Sequence, residues 1–127
     1  MPLSILAVDD EPSTLKMLGL IIRLKRPDWT FLTAESGPQA LEIAANQRLD
    51  FVLLDISMPD MDGLETCEKM RALPNMDRVP IVIFTALDTA DRRDRAVTVG
   101  ATAFWPKTFQ PAEFIPEIEK LVVQTKL

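Results

Sequence analysis

Apolar residues fall along this chain in two alternating rhythms. Short, nearly unbroken apolar runs stand at 4–8, 51–54 and 80–84. Runs of that length with no polar interruption suit strands buried on both faces of a sheet. A fourth segment, 29–33, alternates large apolar and polar residues and suits an edge strand with one wetter face. A short last strand is expected at 103–105.

Between these runs the spacing changes to the helical period. Pro12 suits a first helical position, and Leu15, Leu18, Gly19 and Ile22 follow as a stripe that Pro27 ends. Ser36 with Gln39 three residues on reads as a capping box before Leu41, Ala44 and Ala45. Beyond Gly63, Leu64, Cys67 and Met70 predict a helix to about residue 73. A fourth helix, capped by Asp88 or Thr89, runs to Val99 with Gly100 just past its end. Its middle, 91–95, is polar and of mixed sign, so it lies largely in solvent. The last helix opens at Pro111 and carries Phe114, Ile115, Ile118, Leu121 and Val122. Pro116 inside that pattern predicts a kink or a late true start.

Strict strand–helix alternation with right-handed crossovers predicts an α/β fold with a parallel sheet covered on both faces. The wetter second strand belongs at an edge. This favours a five-stranded sheet of order 2-1-3-4-5, a flavodoxin-like, doubly wound (βα)5 three-layer sandwich. In such a sheet ligands bind at the carboxyl edge, between strands 1 and 3.

That edge is where the chemistry collects. The first strand ends in Asp9-Asp10-Glu11, the third in Asp55, the fourth in Thr85-Ala86, and Lys107 follows the fifth. A lone strand-end acid would ordinarily cap the next turn. Asp9, Asp10, Asp55, Thr85 and Lys107 together predict more. Clustered carboxylates repel in a crevice and are tolerable around a divalent cation. Oxygen donors without His or Cys point to Mg²⁺ or Mn²⁺, with two acids, a backbone carbonyl near Ser57 and waters completing the shell. A carboxylate can act as the nucleophile that forms an acyl phosphate. The Lys107 ammonium and Thr85 hydroxyl suit the incoming phosphoryl oxygens.

Composition removes competing classes. The chain has 127 residues, a net charge of -5, one cysteine and no histidine. Its length suits a single domain, 1–127. The acidic balance argues against direct nucleic-acid binding. The absence of a membrane-length apolar run or a leader pattern predicts no membrane association and a cytoplasmic setting. Without histidine there is no imidazole-built zinc site, no His-based triad and no phosphohistidine on this chain. Cys67 reads as a small core residue.

These motifs resemble those of the response-regulator receiver domains of two-component signalling. The resemblance rests on Asp9-Asp10, on Leu53-Leu54-Asp55-Ile56-Ser57-Met58-Pro59 with Met61-Asp62-Gly63, on Thr85-Ala86, and on Phe104-Trp105-Pro106-Lys107. It implies that Asp55 is the phosphoacceptor. It further implies that Asp10, Asp55 and the Ser57 carbonyl bind Mg²⁺, with Asp9 helping through water. Thr85 and Lys107 would hold the phosphoryl group, and Phe104 matches an aromatic that turns inward when Thr85 moves towards it. The donor would be a phosphohistidine on a sensor histidine kinase or phosphotransfer protein. The switched face, formed by the helix around Arg92, the last strand and the last helix, would control an output domain or target protein, with a phosphorylation-dependent homodimer left open. Such a domain phosphorylates and dephosphorylates itself and does not turn over an external substrate.

Two positions depart from the commonest pattern. Thr108 follows Lys107 where the family usually has proline, often after a cis bond; a non-proline cis bond costs about 3–4 kcal/mol. Phe104 lacks the hydroxyl of the frequent tyrosine, so its inward and outward positions are expected to differ by packing alone. Ser57 and Leu87, two residues beyond Asp55 and Thr85, match the positions that flank the attacking water, and Leu87 is expected to slow hydrolysis of the acyl phosphate. Three other readings compete. A flavin-type carrier wants a phosphate-cradling loop after strand 1, which Asp9-Asp10-Glu11 would repel. An aspartyl-phosphate hydrolase wants a second acid where Ser57 stands. A receiver fold kept only for protein binding would not need the full acid, threonine and lysine set.

Overall fold

The computed structural model describes residues 2–56, 63–86, 89–108 and 110–126. Five strands alternate with five helices: β1 (Ser4–Val8), α1 (Pro12–Lys25), β2 (Thr30–Ala34), α2 (Gly37–Asn46), β3 (Phe51–Leu54), α3 (Gly63–Arg71), β4 (Ile81–Thr85), α4 (Ala90–Thr98), β5 (Ala103–Pro106) and α5 (Phe114–Lys126). The strands form one parallel sheet in the order β2-β1-β3-β4-β5. This is the flavodoxin-like order expected from the sequence.

The period-two alternation of each strand divides the core into two layers. Leu6, Val8, Val52, Leu54, Ile81 and Ile83 face α2, α3 and α4, where Ala40, Ala44, Leu64, Cys67, Met70 and Ala96 meet them. Ile5, Ala7, Phe51, Leu53, Val82 and Phe84 face the other way, onto Leu15, Leu18 and Ile22 of α1 and Phe114, Ile115 and Ile118 of α5. Each fully buried Leu or Ile stabilises the fold by about 1.5–3 kcal/mol. Both faces of β1, β3 and β4 being buried explains why those segments read as unbroken apolar runs. Cys67 is fully buried, and burial pushes its thiol pKa up to about 11.

Local chemistry shifts several boundaries from those expected. Trp29 does not open β2. Its N–H donates to the Arg26 carbonyl (3.0 Å), and the Arg26 guanidinium lies 5.6 Å from its ring centre, so it closes the turn after Pro27. Pro80 precedes β4 rather than starting it: it has no N–H to donate, but its carbonyl accepts from Val52 (2.9 Å). Ahead of α2, Ser36 Oγ accepts from Gln39 N–H (3.3 Å), while Gln39 Oε1 accepts from Glu35, one residue earlier than the standard box. Thr89 caps α4, its side chain accepting from Arg92 N–H. A single 3-10 turn (Pro111–Glu113) leads into α5. The late start puts Pro116 in the first helical turn, where a missing N–H breaks no intrahelical bond.

Candidate functional site at the carboxyl edge of the sheet

Backbone hydrogen bonds at the strand ends fix the acids before any side chain takes part. Asp9 N–H donates to Ala34 at the end of β2 (3.1 Å), and Asp55 N–H donates to Val8 at the end of β1 (3.0 Å). The chain then turns at Glu11, whose N–H donates to Asp9 Oδ1 (2.9 Å). This bond orients the Asp9 carboxylate and leaves its second oxygen to face the crevice. On the far side of β3, α3 begins against the strand end. Gly63 N–H reaches the Ile56 carbonyl (3.4 Å), and a Cβ at Gly63 would overlap the Ile56 Cα and the Asp55 carbonyl oxygen. Only glycine lets the helix approach Asp55 so closely.

One carboxylate oxygen from each of Asp9, Asp10 and Asp55 lies within 4.8 Å of the others. Asp9 and Asp55 are buried and Asp10 is exposed. The Lys107 ammonium enters from β5. Its Nζ is 2.9 Å from Asp9 Oδ2, 3.3 Å from Asp55 Oδ2 and 3.8 Å from Glu11 Oε1. Lys107 is itself tethered, because its N–H donates to the Thr85 carbonyl (3.0 Å), extending the β4–β5 register past Thr85 and Pro106. Among the described residues no peptide bond is cis, so Lys107–Thr108 is trans, and in that form the lysine reaches both buried acids.

The charges interact as this geometry requires. Burial raises the Asp9 pKa, the hydrogen bonds from Lys107 and the Glu11 N–H oppose that, and the neighbouring Asp55 charge adds to it. For Lys107, burial alone would lower the pKa, but the Asp9 hydrogen bond and the charges of Asp55 and Asp9 outweigh it, and the pKa is raised. The ammonium is therefore held charged against a pair of carboxylates in a partly desolvated crevice. The donor set contains only oxygen atoms, which fits a hard divalent cation of the Mg²⁺ type.

Asp9, Asp10, Asp55 and Lys107 thus come together as the sequence predicts, with Thr85 fully buried at the adjoining strand end and Ala86 exposed just beyond it. Ser57 and Leu87 lie outside the described residues. Phe104 sits away from the acids on the α4 side of the sheet, half-buried, with the Arg93 guanidinium 4.8 Å from its ring centre. A charge therefore joins packing in setting its position, a contribution that the missing hydroxyl alone does not suggest. Sequence reasoning also passed over Glu11 as a partner of Lys107. Its signal was its place in the acidic triplet directly before Pro12.

A parallel sheet of order 2-1-3-4-5, with acids on its first and third strand ends and a lysine from its fifth among them, defines a receiver-type domain on a flavodoxin-like scaffold. The family described as "Response regulator receiver domain" matches residues 5–119. The chain belongs to that family, whose members serve two-component signalling. The response regulator MprA of Mycobacterium ulcerans is 34% identical over 127 residues, covering 100% of this chain and 53% of that protein. The chain spans about half the length of the curated relatives of this kind that it matches. A CheY-like receiver domain from Methanospirillum hungatei superposes with a TM-score of 0.91 at 22% identity, over 99% of this chain and 98% of that one, a likeness of fold. The receiver domain of the sensor histidine kinase PA1611 from Pseudomonas aeruginosa has a TM-score of 0.85 at 27% identity, over 96% of this chain and 98% of its own; that structure has a magnesium ion coordinated in its active-site cleft.

Proposed function

We propose that residues 1–127 form one receiver domain in which Asp55 takes a phosphoryl group from a phosphohistidine on a sensor kinase or phosphotransfer protein. The observation that carries this reading is Lys107, whose ammonium lies 3.3 Å from an Asp55 oxygen and 2.9 Å from Asp9. A cation at that point offsets the charge that accumulates on a phosphoryl group as it transfers. The Asp55 carboxylate oxygen forms the new O–P bond as the P–N bond to the partner's imidazole breaks. The imidazole leaves with the electron pair and takes up a proton. Residues 1–127 contain no histidine, so the donor imidazole lies outside them.

When bound, Mg²⁺ or Mn²⁺ would neutralise the phosphoryl oxygens, held by Asp10, Asp55 and the Ser57 carbonyl, with Asp9 acting through water. Lys107 keeps its hold on one side of the transferred group, and the Thr85 hydroxyl donates to it from β4. The resulting shift at Thr85 would be relayed to the face formed by α4, β5 and α5, which controls an output domain or target protein in a cytoplasmic pathway. Leu87 shields the acyl phosphate from water in this scheme. A Leu87→Asn variant should shorten the phosphoryl half-life several-fold in a chase monitored by mass; an unchanged or longer half-life removes that role.

Incubation with acetyl phosphate and Mg²⁺, followed by intact mass, tests the main reading. One phosphoryl adduct is expected, lost in Asp55→Ala and suppressed by a chelator. An adduct that survives in Asp55→Ala would assign the chemistry elsewhere.

A further inference from the structure

Helix α4 buries little of its surface. Of its residues only Ala96 is buried. Its ends are fixed, by the Thr89 cap at one and by Gly100 at the other, whose carbonyl accepts from the Arg71 guanidinium. Along its length, Arg93 reaches across to β5 and places its guanidinium over the Phe104 ring, 4.8 Å from the centre. The ring is half-buried, and its inner edge packs against the apolar layer that contains Ile83 and Ala96.

The register connects this contact to the crevice. Ile83 is paired with Phe104 and Thr85 with Pro106. Ile83 and Thr85 are two residues apart on β4 and so share a face, and Phe104 shares that face with its partner Ile83. Thr85 is therefore the next side chain beside the Phe104 ring in the direction of Asp55. If phosphorylation draws the Thr85 side chain towards Asp55, space would open beside the ring, and a ring turning into it would leave the guanidinium.

We propose that Arg93 is a positioning residue, holding Phe104 at the α4–β5 surface by a cation–π contact and so biasing the unphosphorylated state. The proposal rests on the phosphoacceptor reading of Asp55. A contact of this kind at an exposed site shifts a two-state equilibrium about two- to fivefold. A phenylalanine has no hydroxyl with which to hold an outward position, and the arginine supplies the missing preference from the neighbouring helix.

The test uses the full chain with a single 4-fluorophenylalanine at position 104, followed by fluorine NMR during titration with beryllofluoride in Mg²⁺. Arg93→Met keeps the length and apolar stem without the charge, and Arg93→Lys keeps a charge. In the absence of beryllofluoride, Arg93→Met should move the position-104 resonance, and it should bind beryllofluoride about two- to fivefold more tightly than the parent. Arg93→Lys should recover most of the parental affinity. Adding fluorines to the ring weakens its negative face, so a series of increasingly fluorinated phenylalanines at 104 should tighten binding stepwise in the Arg93 chain and have no effect in Arg93→Met. A purely structural arginine would give no such gradient. If the parent responds to beryllofluoride and Arg93→Met responds identically, or Arg93→Met and Arg93→Lys shift alike, the role of Arg93 is overturned and the phosphoacceptor reading stands. If no variant takes up beryllofluoride, the phosphoacceptor reading fails and this inference falls with it.

Discussion

Two buried carboxylates and one lysine account for most of the site's behaviour at the scale of single residues. Asp9 and Asp55 share the Lys107 ammonium, whereas Asp10 is exposed and stands close to both without an ion pair to Lys107 of its own. Asp10 therefore adds repulsion that a bound cation would relieve. Replacing Asp10 with Asn should leave the metal-free protein at least as stable as the parent. It should also remove most of the stabilisation by Mg²⁺, which for the parent reaches about 2.7 kcal/mol at a hundred times the dissociation constant. Thermal unfolding with and without Mg²⁺ measures both; an Asp10→Asn chain that gains as much from Mg²⁺ as the parent would take Asp10 out of the site. Cys67 gives a separate test of the core. Its thiol pKa is raised by burial from 9.0 to about 11. A raised native pKa means stability is fully present below the unfolded value and is lost as pH rises through the native one. Urea unfolding should therefore show a loss on the order of 2–3 kcal/mol between pH 9 and 11, absent in Cys67→Ala. At pH 8 the native thiol should resist alkylation except through unfolding.

Among the elements, α3 is tied down at both ends for different reasons. Gly63 lets its start press on the Asp55 backbone. Arg71 at its last position spreads its guanidinium over the carbonyls of Met76 (2.7 Å), Val79 (2.6 Å) and Gly100 (2.8 Å). It thus joins α3 to the loop before β4 and to the turn after α4, where Gly100 has a φ of +96° and lies against the arginine stem. No spacing rule foretells this, because the three carbonyls become neighbours only after the sheet is assembled. Arg71→Ala leaves part-buried carbonyls without a donor and should cost about 2–4 kcal/mol in urea unfolding. Arg71→Lys should recover less than half, since an ammonium cannot span the three acceptors. A neutral Arg71→Ala would show that water serves those carbonyls equally well. The helix boundaries follow the same division. The starts of α1 and α2 were legible from Pro12 and Ser36, whereas β2 begins after Trp29 because the indole finds a cation at Arg26 and a place in the α1–α5 layer.

For the whole molecule, strand order and the site's location were legible because both follow from chain connectivity. Alternating strands and helices, with the continuous apolar runs central and the amphipathic one at an edge, leave few topologies, and the right one gathers every strand-end acid on a single rim. Contacts between side chains on different elements were not legible. Glu11 beside Lys107, Arg71 on three carbonyls and Arg93 over Phe104 each join positions whose separation in sequence carries no period. These are the contacts through which the shared fold is adapted to this chain. The central claim is that this rim makes Asp55 the phosphoacceptor, and borohydride trapping addresses it most directly. The protein is treated with acetyl phosphate and Mg²⁺, reduced with borohydride, digested and sequenced by mass. An acyl phosphate is reduced to the alcohol, so homoserine should appear at position 55 and at no other aspartate. Homoserine at Asp9, Asp10 or elsewhere, with position 55 intact, would contradict the account.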